Sequence, residues 1–125
     1  MSQESGVKNV DFNFKSLQVY QRSRKFSRKV YQLTETWPKE FVYDISSQFR
    51  RAAISILLNI AEGSGRSKSD FSRYIVIAKG SCKECAAIVD LAQDLELLLE
   101  GEAVLLRNEL LEIAMMLEGL KKSLK

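Results

Sequence analysis

At 125 residues, with 46% apolar and 28% charged residues, the chain is sized for one domain with a core of its own, and it needs no metal or disulfide to fold. Its net charge of +3 conceals an asymmetry: residues 1–80 hold 14 Lys/Arg and 7 Asp/Glu, a balance of +7, whereas residues 81–125 hold 5 and 9, a balance of −4. No apolar run approaches the ~20 residues of a membrane span, and the absence of histidine removes the commonest general base and metal ligand.

Residues 1–12 read as a disordered tail, leaving 13–125 as the folded domain. Met1–Asp11 is polar and lacks the apolar segment of a signal peptide, so the expected compartment is the cytoplasm, with Cys82 and Cys85 reduced. The first helix is predicted over about 16–36. Its inner stripe is Val19, Phe26, Val30, Leu33 and Trp37, and Trp37-Pro38 ends it because the residue before proline is pushed out of the helical region. Arg22, Arg24, Lys25, Arg28 and Lys29 fall within eight residues that contain no acid, and Tyr20, Arg24, Ser27 and Tyr31 share one side of this helix. Cations interleaved with aromatics suit phosphate contact and base stacking, whereas a solvated charged face is the plainer reading.

The second helix is predicted over 44–63, with Asp44 as its N-cap. It carries two apolar stripes. Ile45, Phe49, Ala52, Ile56 and Ile60 follow helical spacing and seat it in its own core. Ile54, Leu57, Leu58 and Ala61 lie roughly opposite, where a small monomer would place polar groups, and are read as an oligomer interface flanked by Arg50 and Arg51. The stretch Gly63-Ser64-Gly65-Arg66 serves as exit and turn. Ser67 with Asp70 three residues on resembles a capping box. Arg66, Lys68 and the start of the third helix also converge as a candidate anion site.

The third helix is predicted over 68–100, with two adjacent seams: Phe71, Ile75, Ala78, Cys82, Cys85, Val89 and Ala92, and beside it Tyr74, Ile77, Ser81, Glu84, Ile88, Leu91, Leu95 and Leu98. Small residues at Ala78, Gly80, Ser81 and Ala92 are expected to admit a neighbouring helix closely. Gly101 is read as the turn, and the fourth helix runs over 102–124 on Ala103, Leu106, Leu110, Ile113, Leu117, Leu120 and Leu124. With no strand-like alternation, the fold class is all-α, an antiparallel up-down-up-down four-helix bundle.

Candidate chemistry is sparse. Cys82-Lys-Glu-Cys85 matches C-x-x-C but lies mid-helix, without the βαβ setting of a redox site or the further ligands of a zinc site, so core packing is the expected role. Glu62 and Glu84 are expected to be partly buried and, with Arg73, to form structural ion pairs. No nucleophile or metal cluster accompanies them; neither enzyme activity nor a cofactor is expected.

Phe14-Lys-Ser-Leu17-Gln-Val19-Tyr20, Trp37-Pro-Lys-Glu40, Ser47-Gln-Phe-Arg50-Arg51-Ala-Ala53, Asn59-Ile-Ala-Glu62-Gly-Ser-Gly-Arg66-Ser67, Ala78-Lys-Gly-Ser81 with Glu84, and Leu117-Glu-Gly-Leu-Lys-Lys-Ser-Leu124 resemble the proteins encoded within intervening sequences of bacterial 23S rRNA genes. The resemblance spans the chain from Phe14 onward. Leu57 stands where that family often has proline and Asp44 where it often has glycine. The resemblance implies a four-helix bundle assembling as a homopentamer with a basic surface, kinship in fold with the nucleic-acid-binding accessory protein of diversity-generating retroelements, and no enzymatic activity.

Two functional expectations follow. In one, an oligomer binds RNA or DNA through Arg22, Arg24, Lys25, Arg28, Lys29, Arg50, Arg51, Arg66 and Lys68, alone or with a nucleic-acid-processing protein. In the other, the chain is a protein-interaction scaffold whose charge asymmetry serves self-assembly or a protein partner.

Overall fold

The computed structural model describes residues 13–125, the Val42 side chain excepted; the tail expected at 1–12 lies outside them. Four α-helices carry the chain, α1 Gln18–Thr34, α2 Ser47–Gly63, α3 Lys68–Asp94 and α4 Glu100–Ser123, with no strand among the described residues. α2 packs against α1 and α3, α3 against α4, and α1 more narrowly against α4. Among the described residues no helix is long and apolar enough to cross a membrane.

α1 follows a 3₁₀ turn, Asn13–Ser16. Val19, Phe26 and Val30 are buried as the stripe requires, and Leu33 is half-buried. Ser23, Ser27 and Thr34 are buried beside them. The hydroxyls of Ser23 and Thr34 donate to the carbonyls of Val19 (2.7 Å) and Val30 (2.8 Å) one turn back, so neither leaves an unpaired donor in the core. The helix stops at Thr34, and Trp37 is buried beyond its end, stacked on Phe49 with ring centroids 6.0 Å apart.

Asp44 is not the N-cap of α2. A 3₁₀ turn, Lys39–Phe41, and a π turn, Val42–Ser46, wind directly into the helix, and Ser46 already has helical angles (φ −63°, ψ −48°). Preceding turns supply acceptors that a cap would otherwise provide, and the Asp44 carboxylate accepts from the adjacent Ile45 N–H instead.

The α2 stripe Ile45, Phe49, Ala52, Ile56 and Ile60 is wholly buried, as is the first α3 seam from Phe71 to Ala92. Of the second α3 seam only Ser81 and Leu98 are buried, while Ile77, Glu84, Leu91 and Leu95 stay exposed. Ser81 Oγ donates to Ser55 Oγ (2.8 Å), and Asn59 Nδ2 donates to the same hydroxyl (3.0 Å). Ala78, Ser81 and Ala92 do lie in the packed seam, but Gly80 faces open space.

α3 ends six residues earlier than its hydrophobic period suggests. Glu96 takes the left-handed conformation (φ 62°), with Leu97 N–H donating to Ala92 O (2.8 Å) and Glu96 N–H to Gln93 O (3.0 Å). That pairing is the Schellman termination, with glutamate where glycine is usual. Gly101 therefore sits in the first turn of α4, whose Glu102 carboxylate accepts from Leu99 N–H (2.9 Å). Ala103, Leu106, Leu110, Ile113 and Leu117 complete the core, with Leu120 and Leu124 half-buried.

Candidate nucleic-acid interface

The cations of α1 divide into two sets. Arg22 and Lys29 turn toward α4, where Arg22 pairs with Glu112 and Lys29 with Glu109 (2.9 Å). Arg24, Lys25 and Arg28 are exposed and form no ion pair among the described residues. Arg24 lies 5.9 Å from the Tyr20 ring, and Phe14 meets that ring edge-on at 4.8 Å. Tyr31 is exposed on the same side, whereas Ser27 is buried toward the core.

Arg50 and Arg51 are adjacent in sequence but have different surroundings. The Arg50 guanidinium lies 4.5 Å from the Tyr31 ring centre, and its Nε donates to Thr34 Oγ1 (2.7 Å), tying α1 to α2. Arg51 is exposed and makes no ion pair among the described residues. It lines an open groove of about 660 Å³ with Tyr31, Tyr43, Ser46, Ile54 and Leu58. A second depression, about 560 Å³, continues past Leu58 to Ala61, Phe14 and Gly65. Of the outer α2 stripe, Ile54, Leu58 and Ala61 line these grooves; Leu58 is 54% exposed and Leu57 is half-buried outside both.

The turn after α2 is built on Gly65 in the left-handed region (φ 88°) and on Ser67, whose hydroxyl accepts from Asp70 N–H (3.1 Å). Arg66 pairs with Glu62 and lies 5.2 Å from the Tyr74 ring. The bond to Glu62 is the main reason its proton is held above the ordinary arginine value. Lys68 is exposed.

The expected burial of Glu62 and Glu84 does not occur: both are exposed. Glu62 pairs with Arg66, Arg73 with Asp70 (3.0 Å), and Glu84 forms no ion pair among the described residues. Both cysteines are free and buried; burial pushes the Cys82 thiol up to about 12 and raises Cys85 further. They serve as core residues.

Acids of α4, which no motif marks, also bear on the basic surface. Among the described residues, four cross-helix pairs join acids to cations, Arg22–Glu112, Lys29–Glu109, Lys79–Glu118 and Arg107–Asp90. The i, i+3/i+4 placement of Glu109 and Glu112 on one flank of α4 was the available signal.

No functionally curated protein matches the chain. A crystal structure of a protein of unknown function from the S23 ribosomal protein family of Bacteroides thetaiotaomicron VPI-5482 is 24% identical, with a TM-score of 0.77 over 83% of this chain and 95% of that one. A sequence model of the 23S rRNA-intervening sequence proteins matches residues 15–119. The chain belongs to the 23S rRNA-intervening sequence protein family.

Proposed function

We propose that this chain is a non-enzymatic, oligomeric four-helix bundle of the cytoplasm that binds nucleic acid through the outer face of α1. Cross-helix partners whose residue numbers rise along one helix as they fall along the next (Ser55–Ser81 then Gly63–Phe71; Lys79–Glu118 then Arg107–Asp90) support an antiparallel up-down-up-down order. The observation that carries the binding reading is the set Arg24, Lys25 and Arg28: three exposed cations within five residues, without acid partners among the described residues, beside Tyr20 and Tyr31. Such a set neutralises phosphates and offers aromatic faces to bases. Lys68 extends the basic surface, and Arg22, Lys29 and Arg66 contribute less because a carboxylate already neutralises each. The absence of histidine and the raised pKa of both thiols favour binding over catalysis.

The test is fluorescence anisotropy with a structured RNA, a single-stranded RNA and duplex DNA across a salt series. The triple variant R24Q/K25Q/R28Q is expected to weaken binding and to reduce the salt slope by about 2–3 for duplex DNA. R22Q/K29Q, removing cations already paired, is expected to change it little. Equal losses from both variants would contradict the assignment.

The outer stripe of α2 favours the assembly reading as well. Ile54, Leu58 and Ala61 leave an apolar groove uncovered, and self-association, as the homopentamer implied by the family resemblance, covers it.

A further inference from the structure

The groove beside α2 has two ends of different character. Ile54, Leu58 and Ala61 form its apolar stretch, the part that the assembly proposed above covers. At the other end Tyr31, Tyr43, Ser46, Arg50 and Arg51 line it, and no acid does. This end is compact. Ser46 and Arg51 are five residues apart, about 7.5 Å along α2, and the Arg50 guanidinium lies 4.5 Å from the Tyr31 ring centre.

Ser46 is the residue that packing does not account for. It is 3% exposed, and its hydroxyl has no hydrogen-bond partner among the described residues. A buried hydroxyl left unpaired costs the fold stability, and a ligand edge that reaches it relieves that cost. The turn that carries it, Val42–Ser46, is π-wound, a winding that recurs at functional sites. The same turn holds the Tyr43 ring in water, 96% exposed, at the rim of the groove. A ring so exposed gains most by stacking on another flat ring.

This end of the groove also continues the basic strip of α1. Arg24, Arg28 and Tyr31 follow helical spacing, so phosphates laid along the two arginines arrive at Tyr31 after about 10.5 Å. One turn beyond Tyr31 the strip ends at the exposed Glu35, and the exposed cation that lines the groove is Arg51.

We propose that this end of the groove is a nucleobase pocket. A single strand runs its phosphates along α1, and an unpaired base turns in to stack on Tyr43 and to hydrogen-bond with the Ser46 hydroxyl, its phosphate at Arg51. This rests on the nucleic-acid reading above and narrows it to unpaired nucleotides, because a base inside a duplex has its faces and pairing edge occupied.

The experiment is fluorescence anisotropy with a single-stranded RNA of about 12 nucleotides, the same strand annealed to its complement, and single-stranded DNA of the same sequence. Y43A is expected to weaken single-strand binding at least about fivefold and S46A about threefold, with duplex affinity unchanged. The loss falls on both single strands if the pocket holds the base alone, and on RNA alone if it holds the ribose as well. S46A is expected to melt no lower than the native chain, since it removes an unpaired buried hydroxyl; a merely structural serine would not combine weaker binding with undiminished stability. Both variants are expected to keep the native mass by light scattering, and a lower mass would place these residues in a subunit contact and overturn the pocket. Unchanged single-strand affinity in both variants, or an equal loss on the duplex, also overturns it. If R24Q/K25Q/R28Q still weakens every probe in that case, the nucleic-acid reading stands without the pocket; a native chain that binds no probe at low salt overturns both.

Discussion

Glycine has different roles at different places in this chain. Gly63 was legible as a helix exit, but its backbone angle is not what requires glycine; among the described residues the left-handed positions are Gly65 and Glu96. A Cβ at Gly63 would sit 2.7 Å from Tyr74 Cβ and 2.9 Å from Phe71 Cδ1, atoms held close to the α3 backbone. Gly63→Ala is therefore expected to destabilise by about 1–3 kcal/mol through forced separation of α2 and α3. Gly80 lies within α3 with nothing within 4 Å of an added Cβ. Gly80→Ala is expected to stabilise by about 0.5–1 kcal/mol by helix propensity alone. Urea denaturation checks both, as midpoints moving in opposite directions at constant slope; a shared direction would contradict the packing argument. Sequence alone cannot separate these two glycines, because the obstruction at Gly63 comes from the neighbouring helix.

At the scale of the element, apolar spacing identified a buried stripe in every helix, but it marked with equal strength a second α3 seam that stays largely exposed, because spacing does not say which face a neighbour covers. Helix ends were less legible. Leu95, Leu97, Leu98 and Leu99 continue the hydrophobic pattern through a turn that Glu96 makes by adopting a left-handed backbone. Asp44 looked like a cap because the winding from Lys39 to Ser46 has no sequence signature of its own. Between α3 and α4, the hydrogen bond from Lys79, with its charge, holds the Glu118 carboxyl below its ordinary value of 4.5. A lowered carboxyl pKa stabilises the fold fully above that ordinary value, and the contribution is lost as pH falls through the native value. Glu118→Gln is thus expected to cost a little stability at neutral pH and to flatten the acid limb of the stability profile. Parallel profiles for variant and native chain, measured by thermal melts between pH 3 and 7, would show the pair contributes nothing to that limb.

Over the whole molecule, the basic first half and acidic second half were visible in the composition, but not that α4 already neutralises two α1 cations. That pairing depends on which helices adjoin, and it leaves Arg24, Lys25 and Arg28 as the α1 cations of the candidate surface without an ion pair among the described residues. The two thiols report on the integrity of the entire core. Both are buried in the α3 seam with their ionisation pushed above the ordinary 9.0, so the thiolate is scarce at neutral pH and reagents reach it only when the bundle opens. Maleimide labelling is expected to be slow in native buffer and to accelerate with urea in step with global unfolding. Rapid labelling without urea would mean that α3 opens locally.

The Ser55–Asn59–Ser81 cluster bears on how the chain finds this arrangement. Ile56 and Ile60 lie one turn apart on α2 and offer α3 nearly the same surface, so apolar matching tolerates a slide of about 5.4 Å. The hydroxyls do not tolerate it. Displacing Ser81 by one turn breaks its bond to Ser55 and leaves its hydroxyl only the longer contact to the Ile77 carbonyl of its own helix (3.4 Å), a loss of about 0.5–1.5 kcal/mol. Three small polar side chains thereby favour one alignment of α2 on α3, alongside the close approach at Gly63.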